Sequence, residues 1–266
     1  MRYGYLGSTA VGLLMLAMPA FAEIAISAND NKLVLVNGVG TVVKDPPPDT
    51  ISIIDVKGGK AKLVTEIAVP ASVVGPPLSV AIAPNEKLAL VTAAMKINPA
   101  DPTKQIADNK LSVIDLESNP PKVIATLETG ASPAGLSINR QGTMALVANR
   151  EEGTVSIFKI AGKQVTGAGK VAIIDAKSGV SHPMFTPDGK TALVTRDGDG
   201  FISVLKIDGD QVTYTKRDMS AGQRPYGLDI SSRGDLAVVA NIGRGSGDSD
   251  TVSLIDLKAE PPRVVD

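Results

Sequence analysis

The chain alternates short apolar runs with polar turns, and one of these runs recurs along its length. Leu-Val-Ala-Asn at 146–149 returns as Leu-Val-Thr-Arg at 193–196 and as Val-Val-Ala-Asn at 238–241, with a weaker copy at 90–93. A second recurring run ends on serines spaced 60, 44, 47 and 50 residues apart, namely Ser52, Ser112, Ser156, Ser203 and Ser253. Self-similarity with a period of about 20–50 residues indicates a repeat architecture. The sequence therefore contains five units of variable length.

Each unit follows the pattern of short strands separated by turns. The third unit has turn signals at 130–133, 139–142 and Gly153, and strand-like runs at 135–138, 143–149, 154–160 and 164–173. No segment has a convincing helical period. Four short antiparallel strands in each repeat predict an all-β fold, a β-propeller of four-stranded blades. A β-sandwich would not account for five copies of the same order of turns and strands.

The recurring strands also resemble a known repeat family. The Leu-Val-Ala-Asn and Leu-Val-Thr-Arg runs, preceded by turns such as Thr186-Pro187-Asp188-Gly189 and by Gly-x-x-Pro at 130–133 and 222–225, resemble the YVTN family of β-propeller repeats over 24–266. The resemblance implies a mostly seven-bladed architecture. It also implies kinship with exported bacterial proteins, lactonase-like enzymes and the large subunit of periplasmic amine dehydrogenases. WD40, kelch and quinone-dependent propellers, by contrast, rely on aromatic residues that are absent here.

The repeat pattern divides the chain into a leader and a propeller. We expect a signal peptide at 1–22 and a propeller at 23–266, with blades at approximately 24–69, 75–128, 130–174, 178–217 and 222–266, the last incomplete. We interpret the five units as part of a seven-bladed propeller, with a natural five-bladed ring as the alternative.

The first residues have the features of an export signal. Arg2 precedes an apolar stretch from about Ala10, and Ala20-Phe21-Ala22 forms a small-x-small cleavage site. The mature chain is thus expected to begin at Glu23 in the periplasm or outside the cell, with no membrane span after cleavage. An uncleaved anchor is the alternative, although the apolar run is shorter than the roughly 18–20 residues that a span needs.

Composition excludes several classes of site. The chain has 27 Lys and Arg against 28 Asp and Glu, no cysteine, no tryptophan and one histidine. Without cysteine or a second histidine, thiolate and multi-histidine metal centres cannot form, so we predict no metal and no cofactor. Balanced charge and few aromatic residues make a nucleic-acid surface unlikely by composition.

The candidate site lies where the inner strands begin. His182 aligns with Gly135, Gly227 and Ser79 at the start of an inner strand, and we expect it to face the channel mouth as a weak candidate for a general base or a ligand. The alternative is a histidine that bonds the backbone of a neighbouring blade. Arg196 and Arg224 are expected on the same rim, where they could bind a carboxylate or phosphate; alternatively, they are solvated rim charges. His182 and Arg224 are both expected to point into solvent.

Further residues at the rim complete this prediction. Tyr226, Asn149 and Asn241 are further binding candidates. Insertions at 38–49, 93–109 and 242–250 are expected to form loops at the same channel mouth. Asp197-Gly198-Asp199-Gly200 resembles a calcium loop only superficially, since it lacks the later bidentate glutamate.

Three functions remain open at this point. The leading hypothesis is an exported propeller that binds a small molecule or a periplasmic protein at its loop-rich face. The second is a lactonase-type hydrolase, and the third is an accessory subunit of a periplasmic dehydrogenase.

Overall fold

The computed structural model of the protein describes residues 23–37, 39–72, 78–244 and 250–266. The expected signal peptide lies outside this part. The described residues form antiparallel strands and two short 3-10 turns, at Lys57–Gly59 and Ala176–Ser178. None of the helices in these ranges is long and apolar enough to cross a membrane.

Five sheets follow one another along the chain, and we call them the first to fifth blades. The first blade has the strands β1 (Ile24–Asn29), β4 (Thr50–Asp55) and β5 (Lys62–Ala68), and the hairpin of β2 (Leu33–Val36) and β3 (Val39–Val42) is inserted after β1. The second has β6 (Val80–Ile82), β7 (Leu88–Asn98), β8 (Asp101–Asp115) and β9 (Lys122–Glu128). The third has β10 (Pro133–Ile138), β11 (Met144–Asn149), β12 (Thr154–Ala161) and β13 (Gln164–Ala172). The fourth has β14 (Val180–Phe185), β15 (Thr191–Arg196), β16 (Phe201–Asp208) and β17 (Gln211–Ser220). The fifth has β18 (Pro225–Ile230), β19 (Leu236–Asn241), β20 (Thr251–Asp256) and β21 (Arg263–Val264).

The sequence repeat is also a repeat in strand register. The recurring apolar run is the second strand of its blade, and it pairs with the strand that carries the recurring serine. Val147 lies opposite Ser156 in the third blade, and Val239 opposite Ser253 in the fifth. The predicted all-β propeller of four-stranded blades is therefore confirmed.

The core lies between neighbouring blades. Four buried clusters of aliphatic side chains alternate with the sheets, so each blade packs against the next through both faces of its second and third strands. Leu146 and Val194, for example, share the cluster between the third and fourth blades and are fully buried. Burying one such side chain contributes about 1.5–3 kcal/mol, so blade stacking is the main source of stability.

The outer face of the fifth blade is open within the described residues. Val238 and Val252 are 46% and 63% exposed, whereas their counterparts in the third blade, Leu146 and Val155, are both 0% exposed. The same repeat position is therefore a core position where a further sheet covers it and a surface position here.

Two of the three predicted loops contain hairpin strands, and β3 lies within the one at 38–49. Residues 245–249 of the third, at 242–250, lie outside the described part of the chain. The insertion at 93–109 continues β7 and β8 beyond the blade, with Met95 opposite Ala107 and Ile97 opposite Gln105. The expectation of a loop at 93–109 was wrong because β7 and β8 continue to a tip at Pro99 and Ala100, where the missing backbone donor of a proline is tolerated.

Candidate functional site

His182 lies inside the propeller wall. The register of β14 places it level with Gly135 and Gly227, as expected from the sequence. Its side chain is nevertheless buried, with 1% exposure. The expectation that His182 points into solvent was therefore wrong. The reason is that the inner strands of neighbouring blades lie close enough to cover the start of β14.

The surroundings of His182 hold the imidazole neutral. Burial lowers its pKa to about 4, and its other contacts are with the backbone of Leu136 and Leu228 in the two adjacent blades. The Leu228 N–H donates to Nδ1 at 3.3 Å. A Cβ at position 135 would lie 2.8 Å from the imidazole Cδ2, so this neighbouring position requires glycine. His182 thus links three consecutive blades, in agreement with the alternative interpretation of it as a backbone-bonding residue.

The two candidate asparagines are also buried. Asn149 and Asn241 are 0% and 2% exposed. Asn149 accepts a hydrogen bond from the Gly130 N–H at 3.0 Å and donates to Ser156 Oγ at 2.9 Å. It therefore fastens the turn that leads into β10 to the third strand of the same blade. Neither asparagine side chain is presented to solvent, although both were expected to belong to a binding surface.

Arg196 occupies the asparagine position in the fourth blade, and it is buried as well. Its guanidinium donates to Ser203 at 2.8 Å, to Asp218 at 2.8 Å and to Asp199 at 2.7 Å. Burial opposes its charge, but the hydrogen bonds to Asp199 and Asp218 outweigh that effect and raise the pKa of Arg196. Burial acts to raise the pKa of Asp218, but hydrogen bonds from Tyr214 and Arg196 outweigh this effect, so the pKa is lowered. The expectation that Arg196 lies at the solvated rim was wrong, because its guanidinium is buried and hydrogen-bonded to residues of its own blade.

Three blades contribute to a charged cluster that does reach the surface. Asp197 directly follows β15, and its carboxylate is 2% exposed. Arg150 of the third blade lies 2.7 Å from it, and Arg224 of the fifth blade donates to it at 3.2 Å. Ser181 Oγ supplies a further hydrogen bond at 3.1 Å. One buried carboxylate therefore orients two arginines from different blades.

This cluster forms one side of a cleft of about 730 Å³. Its lining combines the turns between second and third strands with the turn that leads into β18, the two kinds of loop expected at one face. It contains three arginines and two aspartates, namely Arg150, Arg224, Arg244, Asp197 and Asp199. The side chains of Arg150 and Arg224 are 22% and 39% exposed. Such partly desolvated, oriented guanidinium groups match the geometry of carboxylate and phosphate.

Arg224 has an unusual backbone conformation. Its φ is 54°, in the left-handed region, and the equivalent positions Ser132 and Gly179 have φ values of 57° and 61°. This repeat position demands a left-handed residue, which costs a non-glycine residue about 1–2 kcal/mol. Ser132 takes the same conformation, so the strain belongs to the turn of the repeat, and in the fifth blade this turn holds the Arg224 side chain at the edge of the cleft.

Tyr226 supports the same cluster from the side. The Cζ atom of Arg150 lies 5.9 Å from the Tyr226 ring centroid. The Tyr226 carbonyl accepts a hydrogen bond from Thr195 Oγ1 at 2.6 Å, and this bond joins the fourth and fifth blades. Tyr226 thus packs beside Arg150 and also secures the blade interface.

The sequence contained a signal for this cluster that was missed. Arg150 and Asp197 each directly follow the recurring second strand, in neighbouring units. Equivalent positions of adjacent blades are neighbours around the channel, so opposite charges at one repeat position predict an ion pair. Asp197 and Asp199 had been considered only as a calcium loop, whereas both carboxylates are paired with arginines.

Comparison with known proteins supports the fold. No established protein family matches the chain, and no curated protein does. Among solved structures, a protein of unknown function from Desulfotomaculum acetoxidans has a TM-score of 0.63 and 17% identity, over 82% of this chain and 62% of that one. The periplasmic gluconolactonase PpgL of Pseudomonas aeruginosa has a TM-score of 0.58 and 18% identity, over 84% of this chain and 64% of that one.

Hydrazine synthase of Kuenenia stuttgartiensis is also similar. Its TM-score is 0.56 at 23% identity, over 75% of this chain and 50% of that one. The chain therefore spans 50–64% of the length of these three structures. Likeness at these identities concerns the fold, and it places the chain among the β-propeller proteins.

Proposed function

We propose that this protein is an exported β-propeller that binds a small anionic molecule, bearing a carboxylate or phosphate, in the cleft beside Asp197. The observation that carries the proposal is the convergence of Arg150 and Arg224 on the buried Asp197 carboxylate. A guanidinium has five N–H donors, and a carboxylate engages two of them at most in a bidentate contact. Arg150 donates to Asp197 and to Ser181 Oγ, and Arg224 donates to Asp197. Both arginines line the cleft, and each has further N–H donors that these bonds do not use.

Charge and strain support the same proposal. Among the described residues that line the cleft, three arginines stand against two aspartates, and Asp199 is paired with the buried Arg196. Arg224 carries its charge at a position that favours glycine. A ligand carboxylate or phosphate would neutralise the excess charge and would gain charge-assisted hydrogen bonds from two blades.

The test is calorimetric titration with two probes, gluconate and inorganic phosphate. Arg150→Gln and Arg224→Gly should each weaken binding of the preferred probe by about tenfold or more, because a hydrogen bond to a charged group contributes about 1.5–3 kcal/mol. Arg140→Gln is the matched control, since Arg140 is exposed in the turn between β10 and β11. Equal affinities in all four proteins would refute the proposal.

Arg224→Gly also separates binding from stability. Glycine relieves the left-handed strain, so the melting temperature should stay the same or rise while binding is lost. A variant that is destabilised but binds normally would show that Arg224 is a structural residue.

Lactone hydrolysis is a second candidate, and the likeness to a gluconolactonase favours it. A hydrolase at this site needs a base that removes a proton from the attacking water. Asp199 lines the cleft with a 32% exposed side chain. Each of its two oxygens accepts one hydrogen bond from Arg196, so the base would use the lone pairs that these two bonds leave. If the protein is a hydrolase, it should accelerate hydrolysis of glucono-1,5-lactone above the buffer rate, and Asp199→Asn should abolish this acceleration without loss of gluconate binding. Turnover at the buffer rate leaves binding as the function.

Export and family membership belong to the same proposal. The leader pattern at 1–22 supports a periplasmic or secreted protein, and the repeated strands support membership of the YVTN family. The likeness to hydrazine synthase concerns the fold alone, and no contact among the described residues argues for an accessory-subunit role.

A further inference from the structure

The fourth blade departs from the repeat at the residue of the third strand that faces the end of the second. The other four blades have a polar residue at this place, namely Thr50, Lys110, Thr154 and Thr251. The fourth blade has Phe201, which lies opposite Arg196 in the register of β15 with β16. Phe201 also lines the cleft beside Asp197. The repeat alone does not account for an aromatic side chain here.

The threonines at this position make a hydrogen bond that a phenylalanine cannot make. In the third blade, Thr154 Oγ1 accepts from the Asn149 amide at 2.9 Å and donates to Glu152 at 3.1 Å. The threonines of the first and fifth blades accept the same bond from an asparagine. In the fourth blade Arg196 replaces the asparagine, so both members of the pair have changed together.

The contact with Arg196 explains one face of the Phe201 ring. The Arg196 Cζ atom lies 5.2 Å from the ring centroid, a distance at which the negative face of a ring attracts a guanidinium. Arg196 is 2% exposed, whereas Phe201 is 37% exposed. The ring therefore covers a buried ion-pair network on one side and still presents apolar surface to the cleft.

Small residues lie next to this ring in the lining of the cleft. Gly200 precedes it in the chain, and Ala221 and Gly222 follow Ser220, its partner in β17. None of these neighbours has a side chain larger than a hydroxymethyl group. Among the described residues that line the cleft, Phe201 is the one large apolar side chain.

A ligand that combines an anionic group with a flat apolar body would use both features of the cleft. Offset or edge-to-face contact between two aromatic rings is favourable beyond the area that it buries. A sugar acid would lose hydration of its hydroxyl groups against Phe201 and gain no hydrogen bond from it. Inorganic phosphate has no apolar atoms to place against the ring. The ring thus favours an aromatic acid over both.

We propose that the anion bound in the cleft beside Asp197 is an aromatic carboxylate, with its ring against Phe201 and its carboxylate on Arg150 and Arg224. This assignment rests on the proposed anion site and adds the class of molecule that the site selects. Phe201 is the residue that determines specificity, since the arginines attract any carboxylate and the ring distinguishes an arene from a sugar acid.

The test compares benzoate, cyclohexanecarboxylate and gluconate, three carboxylates of equal charge, by calorimetric titration of the wild-type protein. Benzoate should bind at least about tenfold more tightly than gluconate, because ring burial and the aromatic contact add to the same ion pairs. Cyclohexanecarboxylate has the same number of carbon atoms but no flat ring, and its affinity should lie between the two. Benzamide, which lacks the charge, should bind at least about tenfold more weakly than benzoate.

Two variants of Phe201 separate aromatic from merely apolar contact. Phe201→Thr introduces the residue of the first, third and fifth blades and should lower the ratio of benzoate to gluconate affinity by about tenfold. Phe201→Leu keeps an apolar cover over Arg196 and should lose the preference for benzoate over cyclohexanecarboxylate. Val123→Thr is the matched control, since Val123 is also 37% exposed but belongs to β9 of the second blade, and it should leave both ratios unchanged.

A measurement on the wild type decides the question if Phe201→Thr does not fold, because that variant also uncovers Arg196. Nuclear Overhauser effects should connect the protons of bound benzoate with those of the Phe201 ring. Saturable benzoate binding without these contacts would overturn the aromatic assignment, and so would an unchanged affinity ratio in folded Phe201→Thr.

The two proposals about the cleft fail in different ways. If benzoate and gluconate bind equally and Arg150→Gln weakens both, the anion site stands and the aromatic class is wrong. If neither phosphate nor any of the three carboxylates binds, the anion site itself is refuted. Benzamide that binds as tightly as benzoate would show an apolar cleft that does not select charge, and this result would overturn both proposals.

Discussion

Burial of His182 makes the stability of the propeller depend on pH in a specific window. The imidazole is 1% exposed, and its pKa is lowered to about 4 from the ordinary value of 6.5. The unfolded chain therefore binds a proton at this residue between those two values, whereas the folded chain does not. The stabilisation that neutral His182 provides is fully present above pH 6.5 and is lost as the pH falls towards 4.

The magnitude follows from these two pKa values. At pH 5 the unfolded histidine is almost fully protonated and the folded one is mostly neutral, which costs about 2 kcal/mol relative to pH 7.5. In a domain of this size the corresponding fall in melting temperature is about 4–8 °C. Carboxylates also respond to acid, so the prediction concerns the difference from a variant without a titrating group at 182.

The reference variant is His182→Asn. Its side-chain oxygen can replace Nδ1 as the acceptor for the Leu228 N–H, and the amide does not titrate. Urea unfolding at pH 7.5 and 5.0 should show that wild type loses about 2 kcal/mol more than His182→Asn. Parallel losses in the two proteins would refute the buried, neutral state of His182.

Three further predictions concern the core, the open blade face and the leader. Arg196→Ala should lower the free energy of unfolding by about 2–4 kcal/mol, because it leaves Asp199 and Asp218 without their buried partner. Urea unfolding measures this change, and a loss below about 0.5 kcal/mol would contradict the ion-pair network. Val238→Lys should leave the melting temperature unchanged because Val238 is 46% exposed, whereas the counterpart Leu146→Lys should prevent folding. A large fall in the melting temperature of Val238→Lys would contradict the open face of the fifth blade. Sequencing of exported protein should find Glu23 at the N-terminus, and retention of Met1 would contradict the signal peptide.

The fold could be predicted from the sequence because the apolar run occurs four times and the recurring serine five times along the chain. Each copy of the apolar run and of the recurring serine marks a second and a third strand, and the register of Val147 with Ser156 repeats throughout. The place of β1 in the first blade was not foreseen. Its register with β4 puts Ser27 opposite Ser52, as Val147 lies opposite Ser156, so Ile24–Asn29 takes the second-strand position of its blade.

The site was predicted less well than the fold, because exposure depends on packing between blades. His182 and Asn149 lie at the channel end of their strands, as the repeats indicate, but the adjacent inner strand or turn covers them. Arg224 lines the cleft from the turn that leads into β18. Arg150 and Asp197 were missed because their pairing joins separate repeats and becomes apparent only when equivalent positions are compared across blades.

The most direct measurement of the binding proposal is the response of individual arginine side chains to a bound anion. In ¹H–¹⁵N spectra of the protein, the Nε–Hε resonances of Arg150 and Arg224 should shift in a saturable manner as gluconate or phosphate is added, with assignments from Arg150→Gln and Arg224→Gly. The resonances of Arg196, already committed to Asp199 and Asp218, and of the exposed Arg140 should stay in place. Shifts of the same size at Arg140, or none at Arg150 and Arg224, would contradict an anion site in the cleft beside Asp197.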